Sequence, residues 1–278
     1  MKIIRVFPRR TSHTPTDDLV FIGEPPMMRP EADEVHVSCT FIWDKTKAEH
    51  LRDAWAQYYP VVKLGGPAYD DPGNGFTPGL YLKSGITITS RGCNNKCPWC
   101  IVPEREGKIR ELNILPGNII QDNNLLQCER SHIDKVLDML AREHTIRFTG
   151  GLEASRITQS FSDRLRGLRV KEVFLACDTD ESIKPLRRAM KLLQLPRDKA
   201  RCYVLLKYNP DETMLHAVIR LLEVWEAGFK PFAQLYQPPD KTIRYPLEWQ
   251  RFVRTFQRPA ATAAFIKTVL TSNIKGLN

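Results

Sequence analysis

The sequence predicts an α/β protein built on a partial (β/α)6 TIM barrel, on the strength of three observations. From residue 85 onward, six short apolar runs alternate with segments whose apolar residues recur at i, i+3, i+4 and i+7. Strands joined by such helices pair in parallel with right-handed crossovers; eight units would close a barrel, and six leave it open. Ahead of them lies a smaller α/β unit, set off by the turn-rich stretch Gly65-Gly66-Pro67-Ala68-Tyr69-Asp70-Asp71-Pro72-Gly73-Asn74-Gly75. This divides the chain into 1–80, 81–240 and a basic helical segment at 241–278.

In the first unit, strand-like runs fall at 2–7, 19–22, 35–39 and 61–64, with a helix carrying Leu51, Ala54, Trp55 and Tyr58 before the last. The barrel units begin with a strand at 86–89, followed by a cysteine-rich loop and a strand at 118–121. A helix opened by Ser131 presents Ile133, Val136, Leu137, Leu140 and Ala141 on one face. The strand at 145–148 ends in Thr149-Gly150-Gly151 and leads to a helix with Ile157, Phe161, Leu165 and Leu168. The strand at 172–176 precedes a helix with Ile183, Leu186, Met190 and Leu193. The strand at 202–206 precedes one with Leu215, Val218, Ile219 and Leu222, closed by Gly228. A last strand at 231–235 leads to a helix with Trp249, Phe252, Val253 and Phe256.

Of 278 residues, 42% are hydrophobic and 26% charged, and no apolar run approaches a membrane span, so a soluble globular protein is expected. The N-terminal residues lack the apolar length and the small-residue cleavage site of a signal peptide. Seven cysteines, four of them scattered (Cys39, Cys128, Cys177, Cys202), fit reduced thiols in the cytoplasm better than a disulfide framework. Net charge is +9, and residues 241–278 hold seven Lys/Arg against Glu248 alone. Basic surface of that kind attracts polyanions, although a solvated basic helix pair is the simpler explanation.

The remaining three cysteines lie in Ser90-Arg91-Gly92-Cys93-Asn94-Asn95-Lys96-Cys97-Pro98-Trp99-Cys100, a C-x3-C-x2-C run directly after a strand. Three thiols so close in a reducing compartment point to a metal. A structural zinc knot would need a fourth ligand such as Cys128 or His132, and neither stands at a regular spacing. Three thiolates on a cubane of four irons leave one iron open, which is the mark of a reactive centre. In an α/β barrel the chemistry sits at the C-terminal strand ends, where the predicted order puts these cysteines.

The stretch resembles the cluster loop of the radical S-adenosylmethionine (SAM) enzymes, with Trp99 as the aromatic before the third cysteine. The flank Ser90-Arg91-Gly92-Cys93 and the tail Cys100-Ile101-Val102-Pro103-Glu104-Arg105-Glu106-Gly107 are most similar to the branch containing methylthiotransferases and cobalamin-domain enzymes. The resemblance spans residues 85 to about 237. It implies that Cys93, Cys97 and Cys100 hold a 4Fe-4S cluster whose open iron is chelated by SAM. It also implies reductive cleavage of SAM to a 5′-deoxyadenosyl radical that abstracts hydrogen from a substrate, with electrons from a flavodoxin or ferredoxin.

By position, Trp99 is similar to the aromatic near the SAM adenine, and Asp122 and Asn123 to an acidic strand end of the cobalamin-domain branch. Gly150, Gly151 and Glu153 are similar to the strand end that approaches the methionyl part. Asp178 resembles the ribose-contacting residue, and Tyr208 occupies another strand end. Residues 1–80 look like a truncated Rossmann-like domain, the domain that precedes the barrel in cobalamin-dependent members. Cobalamin with a histidine lower ligand would need a D-x-H-x-x-G element; none is present, and cobalamin is not expected. The N-terminal region offers Cys39 alone where methylthiotransferases hold three cysteines, so methylthiolation is disfavoured. Cys39 and Cys177, each ending a strand, are candidates for a catalytic thiol or for small buried hydrophobes. The substrate stays open, with a nucleic acid or nucleotide-type molecule one option. The reading from a different class is a nucleic-acid-associated protein with a structural iron–sulfur or zinc site.

Overall fold

The computed structural model describes residues 1–71 and 76–275. Its first sheet comprises β1 (Ile3–Phe7), β2 (Val20–Ile22), β3 (Glu34–Ser38) and β4 (Val62–Gly65), all parallel, in the order β2-β1-β3-β4. Alternation along β3 turns Val35 and Val37 inward and leaves Glu34 and His36 on the other side. The inward set packs on α1 (Lys45–Ala56) through Ala48, Leu51 and Trp55, all fully buried. Trp55 is tied down by an Nε1–H bond to the Gly23 carbonyl at 3.1 Å. Tyr58, expected on the helix face, lies past the helix end and is exposed. His36 is engaged at both ring nitrogens, by Glu34 at 2.7 Å and Tyr81 at 2.5 Å.

The second sheet is β5 (Ile86–Thr87), β8 (Ile119–Ile120), β9 (Ile146–Leu152), β10 (Val170–Ala176), β11 (Ala200–Leu206) and β12 (Lys230–Leu235). All pairings are parallel and the spatial order is the chain order, with β5 and β12 outermost. Helices α3 (Arg130–Leu140), α4 (Gln159–Arg166), α5 (Ile183–Leu193) and α6 (Met214–Glu226) cover one face. Thr158 and Thr213 start α4 and α6 as N-caps, their hydroxyls accepting from the N–H groups of Phe161 and His216. Leu137, Leu165, Leu186 and Leu221 from the helices meet Phe148, Val173, Leu175, Cys202 and Val204 in one core. Each large apolar side chain buried this way contributes about 1.5–3 kcal/mol.

Three expectations are corrected. The strand expected at 86–89 stops at Thr87, because Ser90 and Arg91 form β6 (Ser90–Arg91), paired antiparallel with β7 (Arg110–Glu111). Thr145 takes a left-handed conformation (φ 58°), so β9 begins at Ile146 and continues through the glycine pair. On α6 the expected face is the wrong one: Leu215 is 68% and Ile219 48% exposed, while Ala217, Leu221 and Val224 are buried. Nine of the thirteen residues of α6 are apolar, an arc too wide for the period alone to identify the packed side.

The segment from 241 contains α7 (Leu247–Gln257) and α8 (Pro259–Lys275), with Trp249, Val253, Phe256 and Ile266 packed into the second core. Its first cation is already engaged, the Lys241 ammonium standing 3.5 Å from the centre of the Trp43 ring. Residues 72–75 of the expected boundary loop and 276–278 of the basic segment lie outside the described residues. Among the described residues, no helix is long and apolar enough to cross a membrane.

Candidate functional site

The connection from β5 to β8 differs from the other crossovers in that it lays the cysteine loop across the C-terminal ends of the strands. Backbone geometry dictates the entry. Gly92 has φ +86°, and a Cβ there would stand 2.2 Å from the Lys108 carbonyl oxygen, so a side chain is excluded. The loop is then pinned from two sides. Cys93 N–H donates to the Gly107 carbonyl at 3.1 Å, and Ile109 N–H to Asn94 Oδ1 at 3.1 Å. From the β8 end, Asn123 Oδ1 accepts the Gly92 N–H at 3.0 Å and Gln127 Oε1 the Asn94 N–H at 2.6 Å. α2 (Val102–Glu106) follows the third cysteine.

Beneath the loop, Asp122 is 2% exposed and accepts three bonds: from Thr89 N–H (2.6 Å), Thr89 Oγ1 (2.5 Å) and Ser90 Oγ (2.8 Å). Burial pushes its carboxyl up, and the donors pull against that. All these bonds go to the β5–β6 junction, which makes Asp122 the clamp between two strand ends. The β9 end fits against it closely: a Cβ on Gly150 would come within 2.0 Å of the Asp122 carbonyl oxygen. Gly150→Ala is expected to destabilise by about 1–3 kcal/mol through overpacking, read by denaturant unfolding. Unchanged stability would mean that the β8 and β9 ends are not in contact.

Gly151, at φ +91°, has open space where its Cβ would be. Two residues on, Glu153 gathers the loop. Its Oε2 accepts from Asn124 (2.8 Å), Gln127 (2.9 Å), Asn95 (3.1 Å) and Arg156 (3.2 Å), and its Oε1 from Ser155 (2.8 Å). Burial raises its carboxyl, but these donors outweigh it and hold Glu153 below the usual carboxylate range. It remains ionised at neutral pH.

On the other flank, Asp178 follows β10 and accepts the Leu205 N–H at 3.2 Å, with the Trp99 indole also directed at it. Burial is the largest influence and raises its carboxyl. Trp99 packs edge-on against Tyr208 (5.3 Å between ring centres), and Tyr208 against Tyr236 (5.0 Å). Arg220 of α6 holds this flank from behind, bonding the carbonyls of Asp178 (3.2 Å) and Leu205 (2.9 Å) and the carboxylates of Glu212 (2.5 Å) and Asp180 (3.0 Å).

The three cysteines thus stand at one strand-end edge with Trp99, Asn123, Gly150, Gly151, Glu153, Asp178 and Tyr208 around them. Burial raises the Cys97 and Cys100 thiols, and Cys93 adds to both. Asn124 Nδ2 lies 3.5 Å from Cys93 Sγ, and its buried Oδ1 has no partner. The Val102 N–H is directed at the Cys100 sulfur. Among the described residues, no three His, Cys, Asp or Glu side chains converge closely enough for a single metal ion. A mononuclear zinc needs sulfurs all about 2.3 Å from one centre, whereas a cubane seats its ligands on different irons and so spaces them more widely. Three cysteines on one loop, with the Asn124 amide and the Val102 N–H directed at two of the sulfurs, are a donor set that fits an iron–sulfur cluster.

Cys39 and Cys177 are both fully buried, in the first and second cores respectively. Their thiols are pushed up by burial, that of Cys177 to about 12, and each bonds a carbonyl two residues on. They belong to packing rather than to the strand-end surface. Residues that sequence reasoning missed are Asn95 and Gln127, which with Asn124 are the amides joining the cysteine loop to Glu153. All three lie in the amide-rich ends of the stretch between Cys93 and Cys128, which was the available signal. Compared with protein-family models and with curated proteins, the chain matches none.

Proposed function

We propose that the chain is a radical SAM enzyme on a partial (β/α)6 barrel, with Cys93, Cys97 and Cys100 holding a 4Fe-4S cluster. The observation that carries this is the three-cysteine loop lying across the C-terminal edge of an all-parallel sheet in chain order, between Glu153 on one flank and Asp178 on the other. When bound, the cluster and SAM supply one-electron cleavage of the sulfonium, generating a 5′-deoxyadenosyl radical that takes hydrogen from a substrate.

The chain's own residues bind and orient. Asn124 and the Val102 N–H donate toward sulfur and tune the thiolates. Gly150 and Gly151 leave backbone groups accessible to the amino and carboxylate ends of SAM. Asp178 serves the ribose, and Trp99 with Tyr208 gives the adenine an apolar flank. Asp122, Asn123 and Glu153 hold the loop and the strand ends in register. Electrons come from a separate flavodoxin or ferredoxin. Cobalamin forms no part of the proposal. The alternative, a nucleic-acid-binding protein with a structural metal site, has only the charge of residues 241–278 in its favour.

Anaerobic reconstitution with iron and sulfide, then SAM and dithionite, tests the proposal. The expected result is a 4Fe-4S absorption and electron-resonance signature together with 5′-deoxyadenosine. A well-formed cluster that leaves SAM intact would defeat it.

A further inference from the structure

All-parallel sheets are nearly always covered on both faces, and their strands then read as continuous apolar runs. The second sheet departs from this. The face turned away from α3–α6 carries Arg147 and Thr149 on β9, Glu172 on β10, Arg201 on β11, and Lys230 and Gln234 on β12. Their neighbours of opposite parity, such as Phe148, Val173, Cys202 and Ala233, are the ones buried under the helices. Toward the strand ends this face opens: Ala176 and Gln234 are exposed.

Charge on the face is unbalanced. Arg201 stands opposite Lys230 in register, and like charges directly opposite one another oppose pairing. Against these cations and Arg147 the row offers the carboxylate of Glu172, 2.9 Å from Arg201 and 4.0 Å from Arg147. The Arg201 guanidinium lies over the rings of Phe174 and Phe232, 5.1 and 5.6 Å from their centres. Its Nε–H is buried with no acceptor, which is costly for a donor of this kind. The surface beneath is rigid: Phe174 and Tyr203 stack at 4.4 Å, and the Tyr203 hydroxyl donates to the Thr149 carbonyl at 3.1 Å.

An oxyanion brought from outside would relieve the like-charge conflict and give the Nε–H its acceptor. We infer that this face receives the anionic end of the substrate, a small organic phosphate or carboxylate bound by Arg147, Arg201 and Lys230. The inference rests on the radical SAM reading for the chemistry at the substrate's other end. Arg201 lies four residues before Leu205, whose N–H meets Asp178; along a strand that is about 13 Å. A molecule roughly as long as a nucleoside phosphate spans that distance, with its far end at the cysteine edge.

The test is thermal unfolding of the anaerobically reconstituted protein at constant ionic strength, with chloride replaced by inorganic phosphate or by acetate. A ligand that binds only the folded state raises Tm. The expected result is a higher Tm with one or both anions, lost in Arg201→Gln. A response to phosphate alone assigns a phosphoryl substrate; a response to acetate assigns a carboxylate. If Arg201→Gln fails to fold, Arg147→Gln, at the more exposed end of the row, takes its place. No rise in the wild type, or a rise that survives in both variants, overturns the inference. SAM cleavage is measured on the same preparations: anion binding without cleavage defeats the proposed chemistry and leaves the site standing, and the reverse outcome does the opposite.

Discussion

Replacing Cys97 by alanine is expected to abolish iron binding and SAM cleavage together while leaving the fold in place. The side chain is half-buried in a loop whose hydrogen bonds run through Gly92, Asn94, Asn95, Cys93 N–H and Cys100 N–H, not through the Cys97 sulfur. Two thiolates are too few to hold a cubane at its remaining corners, so iron content should drop to that of unreconstituted protein. Asn124→Ala is the graded companion. Loss of a group that donates to a ligand sulfur costs about 10–100-fold in metal affinity or activity, well short of abolition. Iron analysis, circular dichroism and 5′-deoxyadenosine formation read both variants. Full iron loading and turnover in Cys97→Ala would remove the basis for assigning the cluster to these residues.

Arg220→Ala is the substitution with the largest expected effect on stability, a loss of about 3–5 kcal/mol by denaturant unfolding. The guanidinium is buried, and its partner Glu212 has a side chain only 3% exposed. Removing the cation leaves that carboxylate uncompensated inside the protein, with the Lys207 N–H as remaining support. It also frees the Asp178 and Leu205 carbonyls, so SAM binding should weaken along with stability. Replacing both charges, Arg220→Leu with Glu212→Leu, should recover much of the loss, because desolvation is relieved on both sides. A single variant as stable as wild type would show that the pair is solvated.

Much of the architecture was legible because burial leaves a periodic trace. Six apolar runs separated by helical segments predict parallel pairing, and the second sheet has six parallel strands in chain order. The three-cysteine loop was legible for a different reason: its cysteines fall within eight consecutive residues, so their proximity needs no distant partner. Less visible were elements whose identity depends on a distant partner. Ser90 and Arg91 leave the strand because Arg110 and Glu111 offer them a hairpin. Leu215 and Ile219 have the spacing of a core face, yet the sheet meets the other side of α6, where Arg220 completes a buried ion-pair group.

The sequence alone determined the strand–helix alternation and the three-cysteine loop, because both are set by residues within a few positions of one another. Tertiary structure alone decided that Glu153 holds Asn95, Asn124 and Gln127 around that loop. It also decided that Asp122 clamps two strand ends and that Arg147, Arg201 and Lys230 share one face. These pairings cross between distant elements over separations of 26 residues or more, through hydrogen bonds and charge contacts that leave no period in the chain. Parallel packing brings them together, since it aligns the ends of strands that the sequence keeps a full helix apart.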